Sequence, residues 1–480
     1  MLKVGQIEEV EITGYTSEGM GVCRMDGCAV FVPNAIRGER CSVKITHLSK
    51  NSAHGKIEQI LERSPHRIPR ACPAAKLCGG CQLHHMDYAE ELALKAQKVT
   101  DALNRLGGQN LETVPITGAD GGRVQPGAAA DPERPALPPE AWGYRNKAQY
   151  PFGMKNGRPV AGFYQNRSHE VIPVARCAIL PEIFDRVRDL VLRWAEEDRV
   201  PVYDEGSGKG LLRHLYVRRG AVTGEIMVCI VANGERLPRE QRLVHTLQRE
   251  VPGLASVILS TNTKRTNVVL GEGFRTLWGK DEIEDELCGY RFRLSPRSFY
   301  QVNHDQAQRL YAKAVELADL HGTETVLDLY CGAGTITLAL SGRAGRAVGV
   351  ELVPQAIEDA KRNARRNGVE NVEFFCADAK IAAERFCAAG EAPDVIVVDP
   401  PRKGLAPEVV EAMARMAPAR IVYVSCNPAT LARDVKLLSE KGYSLTHAEA
   451  FDLFPRTFHV ETVVLMTRLT PENMMDGGSV

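Results

Sequence analysis

Residues 325–468 alternate between short apolar runs and longer polar stretches, and this alternation constrains the fold more than any other feature. Seven runs read as strands: TVLDLY, RAVGVE, VEFFCA, DVIVVDP, RIVYVSC, YSLTHAEAF and VETVVLMTR. The intervening stretches read as helices, and a further helix is predicted near 304–319. Strands this apolar, separated by helices, indicate a parallel sheet buried on both faces. Ligands bind to such a sheet at the carboxyl edge of its strands.

The remaining sequence is too long to share one core with this sheet. The chain has 480 residues, with 44% hydrophobic and 25% charged residues, as is ordinary for a globular protein. Short segments broken by Gly and Pro predict a small antiparallel β-barrel at the N-terminus. We therefore expect a multidomain α/β protein with a β-barrel at 1–61, a central α/β domain at 62–290 and a Rossmann-like domain at 291–480. A stretch rich in Gly, Ala, Pro and Asp at 117–139 predicts a flexible insertion.

Cysteine usage and charge limit the classes of protein. The chain has thirteen cysteines, and its first residues lack the basic and apolar regions of a signal peptide. No apolar run is long enough to cross a bilayer. We expect a cytoplasmic protein with no membrane partner and no obligate protein partner. Lys and Arg balance Asp and Glu at 60 each, yet basic clusters at 36–70, 209–219 and 264–265 would suit either solvated surface or an anionic, extended partner.

A glycine-containing loop follows the first predicted strand of the C-terminal domain. In DLYCGAGT, Gly332 and Gly334 would let the backbone approach a ligand, although a tight strand–helix turn would use the same residues. Glu351 ends the next strand, where an acid can accept hydrogen bonds from both hydroxyls of a ribose. The loop is neither G-x-G-x-x-G nor a Walker motif. A nucleoside without pyrophosphate, S-adenosylmethionine, therefore fits better than NAD.

Two further residues end strands at the same predicted edge. Asp399 lies in VVDPPRKG and Cys426 in RIVYVSCNP. Most cysteines are small buried hydrophobes, and we interpret Cys331, Cys376 and Cys387 in this way. Cys426 differs because Pro428 can begin a helix directly after it, and a helix N-terminus favours a thiolate.

A thiolate beside a methyl donor suggests one particular reaction. Carbon 5 of uracil is a poor nucleophile, but addition of a thiolate to carbon 6 produces an enolate whose carbon 5 can attack a sulfonium methyl group. A base must then remove the carbon 5 proton so that elimination releases the enzyme. Glu461, an acid before five apolar residues in FHVETVVLM, is the candidate base, although a charge at a strand end is an equal interpretation.

At this point the motifs resemble those of the bacterial RNA uracil-5-methyltransferases. The segments FYQVN, DLYCGAGT, VGVE, VVDPPRKG, SCNPATLARD and FHVET occur in that family's order, and residues 14–39 resemble its TRAM domain. The resemblance implies that Cys426 is the nucleophile and Glu461 the proton acceptor. It also implies S-adenosylmethionine contacts at Gln301, Tyr330, Gly332, Glu351 and Asp399, with Asp378 able to approach the adenine.

Three further cysteines form a separate group. Cys72, Cys78 and Cys81 have the spacing C-x5-C-x2-C, which is typical of metal binding but does not separate zinc from iron–sulfur. The resemblance implies a [4Fe-4S] cluster with Cys177 as the fourth ligand.

The resemblance also bears on the RNA substrate. Family members with both a TRAM domain and a cluster usually act on 23S rRNA, so that is the expected partner and tRNA the alternative. A non-catalytic RNA-binding factor for ribosome assembly is a third hypothesis, disfavoured because such a protein needs neither Cys426 nor Glu461.

Overall fold

The structure is a computed structural model that describes residues 2–70, 72–124 and 137–469. Its secondary structure forms three regions along the chain. Separate hydrophobic clusters lie within the N-terminal and central regions, and a further cluster joins Tyr216, Met227 and Ile258 of the central sheet to the C-terminal region. Within the described ranges, no helix is long and apolar enough to cross a membrane.

The N-terminal region is a six-stranded barrel with strand order β1-β5-β6-β4-β3-β2. Its strands are β1 (Ile7–Glu11), β2 (Gly14–Tyr15), β3 (Gly21–Met25), β4 (Cys28–Val32), β5 (Arg40–Leu48) and β6 (Ser52–Glu62). Alternate side chains of β3 and β5 point into the barrel, as the period of two in a half-buried strand requires. The N-terminal β-barrel is therefore confirmed. The expectation that all of its strands are antiparallel is wrong, because β4 and β6 pair in parallel.

After a 3₁₀ turn at Pro73–Lys76, the chain forms α1 (Tyr88–Arg105) and a short hairpin, β7 (Ile116–Thr117) and β8 (Arg123–Val124). The central sheet follows, with strand order β11-β10-β9-β12-β13-β14-β15. Its elements are β9 (Lys147–Lys155), β10 (Arg158–Tyr164), β11 (Val171–Pro173), α2 (Glu182–Glu197), β12 (Leu212–Arg219), β13 (Ile226–Ala232), α3 (Glu240–Glu250), β14 (Leu254–Thr261) and β15 (Gly273–Gly279). A hairpin of β16 (Ile283–Leu287) and β17 (Tyr290–Leu294) leads to the C-terminal domain.

The C-terminal domain is a sheet with helices on both faces and strand order β20-β19-β18-β21-β22-β24-β23-β7-β8. Its elements are α4 (His304–Ala318), β18 (Thr325–Leu329), α5 (Thr335–Ser341), β19 (Arg346–Glu351), α6 (Pro354–Arg366), β20 (Val372–Cys376), α7 (Ala379–Ala388), β21 (Val395–Val398), α8 (Pro407–Met416), β22 (Arg420–Ser425), α9 (Pro428–Ser439), β23 (Tyr443–Phe451) and β24 (Glu461–Arg468). All four residues of β21 are buried, which explains the unbroken apolar run in the sequence.

This arrangement confirms the Rossmann-like domain and corrects one detail of the expected sheet. Strands β18 to β22 pair in parallel, whereas β24 pairs antiparallel with both β22 and β23. The difference arises because β23 and β24 are joined by a nine-residue loop and not by a helix, and antiparallel neighbours need no crossover.

Helix α1 and the β7–β8 hairpin belong physically to the C-terminal domain. The residues Tyr88, Leu92, Val99, Leu103 and Ile116 share one core with the helices and strands of that domain. Strand β7 also pairs with β23 at the edge of the sheet. The predicted boundaries place these segments in the central domain, since local pattern does not reveal which core an amphipathic helix joins.

The hairpin also modifies the expectation of a flexible insertion at 117–139. Residues 117–124 are ordered, and Thr117 and Ala119 are buried. Residues 125–136 of the predicted insertion lie outside the described residues, and Leu137 after them packs against the C-terminal core.

Candidate active site

The loop between β18 and α5 lies next to Glu351, the last residue of β19. Tyr330, Gly332 and Gly334 have positive φ angles of 74°, 55° and 83°. The Glu351 carboxylate accepts hydrogen bonds from the Gly332 N–H at 3.2 Å and the Val353 N–H at 2.9 Å. A Cβ atom added to Gly332 would meet no described atom within 4 Å. The loop therefore has an open face next to a carboxylate, as a nucleoside ligand requires.

Four polar residues lie together on the neighbouring side of this loop. Burial raises the pKa of Tyr311 on α4, the Asp399 carboxylate raises it further, and hydrogen bonds with Thr335 and Gln301 oppose the rise. Asp399 follows β21, and burial raises the pKa of its carboxyl to about 7. Gln301 and Asp399, distant in sequence, are thus brought together around the Tyr311 hydroxyl.

A third carboxyl lies within strand β18. Burial raises the pKa of Asp328 to about 7, a hydrogen bond from Thr337 opposes the rise, and the charges of Asp399 and Glu351 add to it. The Thr337 hydroxyl donates to Oδ2 at 2.6 Å, while Oδ1 is buried without a hydrogen-bond partner among the described residues. Three carboxyls at one edge of the sheet create a negative potential, which suits a cationic ligand such as a sulfonium.

Tyr330 and Asp378 also face this edge. Burial raises the pKa of Tyr330 to about 12, and the carboxylates of Asp378, Asp434 and Glu351 contribute. Asp378 precedes α7 and accepts a hydrogen bond from the Lys380 N–H at 2.9 Å.

Cys426 directly follows β22, and Glu461 is the first residue of the neighbouring antiparallel strand β24. Ser425 pairs with Thr462, and the same register places Cys426 opposite Glu461, the first residue of β24. The thiol and the carboxyl therefore lie at the same edge as Asp399, which ends the strand on the other side of β22. The sequence predicted this edge for Cys426 and Asp399 but not for Glu461, which begins its strand. The antiparallel pairing of β24 with β22 brings Glu461 to the same edge.

The electrostatic environment of Cys426 differs from the sequence-based expectation. Helix α9 begins at Pro428, as predicted. Burial nevertheless raises the pKa of the Cys426 thiol to about 11, and the Glu461 and Asp399 carboxylates raise it further than the nearby Arg402 lowers it. The prediction that the helix N-terminus favours a thiolate is therefore wrong for the free protein, because burial and two carboxylates outweigh it.

Glu461 is itself held in its neutral form. Its side chain is buried, and this burial raises the pKa of the carboxyl well above its ordinary value, with the Asp399 charge adding to the shift. The positive charge of Arg402 opposes the shift, as it does at Cys426. Hydrogen bonds from Asn427 Nδ2 at 3.0 Å and Thr430 Oγ1 at 3.3 Å to the Arg402 carbonyl fix the backbone of this residue beside the pair.

Two of these neighbours carry no functional signal in the sequence. Tyr311 shares a helical stripe with Ala307 and Ala314, so the pattern reads as core. Arg402 lies in VVDPPRKG without any pattern that connects it to Cys426 or Glu461. Its electrostatic influence on Cys426 and Glu461 depends on the three-dimensional arrangement.

The four predicted cluster cysteines line one cavity. Cys72, Cys78, Cys81 and Cys177 surround a space of about 280 Å³ between the 3₁₀ turn and the central sheet. Burial raises the pKa of the Cys177 thiol to about 12 and those of Cys78 and Cys81 as well. Across the described ranges, however, no three His, Cys, Asp or Glu side chains are close enough together to hold one metal ion. The four thiols surround one cavity, but they are not close enough together to bind a single metal ion.

The three cysteines interpreted as packing residues have different environments. Cys331 is buried, as expected, and Cys387 packs partly buried against the core. Cys376 is exposed because β20 is an edge strand, so the expectation for that residue is wrong.

Comparisons with known proteins give matches to the N-terminal barrel, to the C-terminal domain and to nearly the whole chain. Residues 253–469 match the tRNA (uracil-5-)-methyltransferase family and residues 2–57 match the TRAM domain. An uncharacterized RNA methyltransferase of Halalkalibacterium halodurans is 43% identical over 461 residues, which cover 96% of each chain. One from Clostridium tetani is 43% identical over 456 residues, 95% of each chain.

A solved structure is also similar over its whole length. The tRNA (uracil-54, C5)-methyltransferase of Pyrococcus abyssi, solved in complex with S-adenosyl-L-homocysteine, has a TM-score of 0.74 and 27% identity, covering 96% of this chain and 99% of that one. The fold and the site define an S-adenosylmethionine-dependent methyltransferase with an RNA-binding TRAM barrel. The extent of similarity to these relatives is more specific: the chain belongs to the RNA uracil-5-methyltransferase family.

Proposed function

We propose that this enzyme transfers a methyl group to carbon 5 of a uridine in 23S rRNA through a covalent adduct with Cys426. The observation that carries the proposal is the pairing of Ser425 with Thr462, next to Cys426 and Glu461, together with the influence of the Glu461 and Asp399 carboxyls on the Cys426 thiol. A nucleophile and a base at one sheet edge, next to an open glycine loop, match the two roles that carbon 5 methylation needs.

The proposed reaction conserves atoms and charge at each step. Cys426 loses its proton to solvent, and the thiolate adds to carbon 6 of the flipped base. Carbon 5 attacks the sulfonium methyl group, so that a carbon–carbon bond forms and S-adenosylhomocysteine leaves. Glu461 must first lose its own proton to solvent. Its carboxylate then takes the carbon 5 proton, and the carbon–sulfur bond breaks to restore the thiolate. Arg402 favours the charged forms of both groups.

The methyl donor is assigned to the glycine loop. Glu351 would accept hydrogen bonds from the ribose hydroxyls, and the open face above Gly332 would admit the methionine portion. Asp399 and Gln301 would face the donor from β21 and the start of α4, and Tyr330 would lie beside the adenosine with Asp378 near the adenine. The three carboxyls at this edge favour binding of the cationic donor over its neutral product.

The same proposal assigns a [4Fe-4S] cluster to Cys72, Cys78, Cys81 and Cys177. Four thiols around one cavity suit a cluster better than a single ion, since thiolates bind one zinc ion at about 2.3 Å each and so lie close together. The Gly80 N–H donates to the Cys78 sulfur at 3.4 Å, as is favourable for a thiolate ligand. A bound cluster would join the 3₁₀ turn to the central domain, and methyl transfer needs no redox step from it.

Iron analysis tests this cluster assignment. Protein purified without oxygen should contain about four irons and four sulfides per chain, and Cys78→Ser should lose most of them. Cys288→Ser, which changes a partly buried cysteine outside the cavity, should keep them. Zinc in place of iron, or equal iron in both variants, would contradict the assignment.

A tRNA substrate is the second candidate, supported by the structural similarity to the Pyrococcus abyssi tRNA enzyme. Because that match extends over nearly the whole of both chains, domain architecture alone does not distinguish the two substrates. The resemblance of the TRAM and cysteine motifs to those of rRNA enzymes favours 23S rRNA.

Incubation with RNA containing 5-fluorouridine tests the reaction. Fluorine at carbon 5 blocks the last elimination, so the wild-type enzyme with S-adenosylmethionine should form an adduct that withstands denaturation, and Cys426→Ala should not. Mapping 5-methyluridine in rRNA and tRNA from a deletion strain identifies the substrate. The absence of an adduct and of methyl transfer on every RNA would overturn the proposed function.

A further inference from the structure

The loop at residues 452–460 joins β23 to β24 and ends at the proposed base. Phe451 pairs with Glu461, so this strand pair closes the base of the loop. Five of its carbonyls accept hydrogen bonds from other parts of the chain. The donors are Asn303 Nδ2 to Leu453 (3.1 Å), Lys95 Nζ to Phe454 (3.2 Å), Tyr144 OH to Pro455 (3.1 Å), the N–H groups of Gln82 and Leu83 to Arg456 (3.1 and 3.0 Å), and Lys98 Nζ to Phe458 (3.1 Å).

Arg456 lies at the centre of the loop in a strained conformation. Its φ angle is +73°, which is uncommon for a residue other than glycine, and its side chain is fully buried. The Arg456 N–H donates to Glu91 Oε1 at 2.6 Å, and the guanidinium binds the Glu91 carboxylate and the Met86 carbonyl. Strain of this kind persists only where the surroundings determine the conformation, and here α1 supplies the partner.

Two acids and two bases form a neutral buried group around this contact. Lys95 Nζ donates to Glu91 at 2.8 Å and to Asp452 at 2.6 Å, and both lysine and acids have no exposed surface. Tyr88 donates to the other Asp452 oxygen at 2.7 Å. Buried charges are favourable only when paired in good geometry, so this group fixes α1 relative to the loop.

We propose that α1, through this group, is the positioning element for the general base Glu461. The inference rests on the proposed function and deepens it. A loop held at five carbonyls keeps the Glu461 carboxyl at the distance from carbon 5 that proton removal requires. The addition of Cys426 and the methyl transfer do not depend on the loop, because Cys426 is carried by β22 and α9. Loss of the clamp therefore slows the last step selectively.

A pair of matched tyrosine variants tests this proposal. Tyr144→Phe removes the hydrogen bond to Pro455 together with a contact to the neighbouring Arg145 side chain. Tyr443→Phe removes a comparable bond, from a tyrosine hydroxyl to the Pro418 carbonyl at 3.0 Å, far from the loop. Single-turnover reactions with ordinary uridine RNA and labelled S-adenosylmethionine are quenched in denaturant. The methylated protein–RNA adduct is then measured against released product. We expect the ratio to rise about three- to tenfold in Tyr144→Phe, the effect of one hydrogen bond, and to stay unchanged in Tyr443→Phe.

A second variant removes one buried ion pair without leaving an unpaired charge. Lys95→Met/Asp452→Asn keeps the Glu91–Arg456 pair, and we expect an adduct ratio at least as high as that of Tyr144→Phe, with S-adenosylhomocysteine affinity unchanged. If the double variant does not fold, Lys98→Met decides, because it removes the hydrogen bond from α1 to the Phe458 carbonyl. Equal slowing of adduct formation and release, or no change in either, overturns the positioning role. A wild-type enzyme that forms no adduct with 5-fluorouridine RNA would instead overturn the proposed function.

Discussion

At the scale of single residues, the proposed site is distinguished by acids and a thiol whose pKa values are raised above their ordinary values. Burial raises the pKa values of Cys426, Glu461, Asp399 and Asp328, and the first three influence one another. Interacting groups of this kind titrate together, so the charge of the site depends on which ligand is present. A cationic methyl donor would favour ionisation of the acids nearest to it.

The variant Glu461→Gln separates the two halves of the proposed reaction. Glu461 is neutral in the free protein, so an uncharged glutamine leaves the charge beside Cys426 unchanged, and adduct formation should proceed at about the wild-type rate. Without a base, the methylated adduct cannot eliminate. We expect adduct to accumulate on ordinary uridine RNA and multiple turnover to fall by about a hundredfold or more. Gel analysis after denaturation measures both, and normal turnover by this variant would exclude Glu461 as the base.

Asp328→Asn tests the buried carboxyl through its effect on stability. In the folded state the pKa of Asp328 is raised to about 7, whereas its ordinary value in the unfolded chain is about 4. The stability that the protonated carboxyl contributes is therefore fully present below about pH 4 and is lost as the pH rises from about 4 to about 7. The variant, which keeps an oxygen for Thr337, should gain stability relative to wild type over this range, by up to about 4 kcal/mol.

Urea unfolding from pH 4 to pH 8 provides the measurement. Asp394→Asn is the control, because Asp394 is an exposed aspartate directly before β21, at the end of that strand opposite to Asp399. If Asp328→Asn and wild type lose stability in parallel as the pH rises, the buried carboxyl does not titrate as described.

At the scale of elements, the strands were predictable and their partners were not. All seven apolar runs of the C-terminal domain form strands, since burial on both faces leaves an unbroken apolar signal. The placement of Asp399 and Cys426 at one edge follows from that pattern. The antiparallel position of β24 between β22 and β23 does not follow from that pattern, because strand order depends on contacts between residues far apart in sequence. The proximity of Cys426 to Glu461 depends on this position of β24.

Gly332→Ala tests the loop between β18 and α5. Gly368 provides a matched control, because both glycines have positive φ angles, 55° and 64°, and an added Cβ would meet no described atom within 4 Å at either position. Each alanine should cost about 1 kcal/mol of stability through backbone strain.

Only Gly332→Ala places its methyl group in the space assigned to the methyl donor. We expect the affinity for S-adenosylhomocysteine, measured by calorimetry, to fall at least tenfold in Gly332→Ala and to stay near wild type in Gly368→Ala. Equal affinities for the two variants would place the ligand elsewhere.

At the scale of the whole molecule, α1 connects all three regions of the protein. Its N-terminal turn binds the barrel, since the Tyr15 hydroxyl donates to Glu90 at 2.7 Å and Arg37 pairs with the same carboxylate at 3.1 Å. Its middle holds the β23–β24 loop through Lys95, and the segment before it carries Cys81. The RNA-binding barrel, the cysteine cavity and the proposed base are thus joined through one helix.

Glu90→Gln tests whether docking of the barrel on α1 serves RNA binding. The substitution weakens both contacts to the barrel, and Arg37 is half exposed, so no charge is left buried. A barrel that is no longer fixed contributes less to RNA binding, because its orientation must be restored at each encounter. We expect the KM for RNA to rise about five- to tenfold, while kcat and the affinity for S-adenosylhomocysteine stay unchanged. Glu112→Gln, the same substitution at an exposed position beyond α1, should behave as wild type.

The division between KM and kcat decides the meaning of this experiment. On α1, Lys95 and Glu91 hold the loop that leads to Glu461, and Glu90 does not, so loss of docking should leave the chemical step intact. A fall in kcat at saturating RNA would mean that the barrel acts on the catalytic loop through α1 as well as on the substrate. An unchanged KM would mean that the barrel docks firmly without Glu90, through the apolar contact of Ile36 with Leu83 and Leu94.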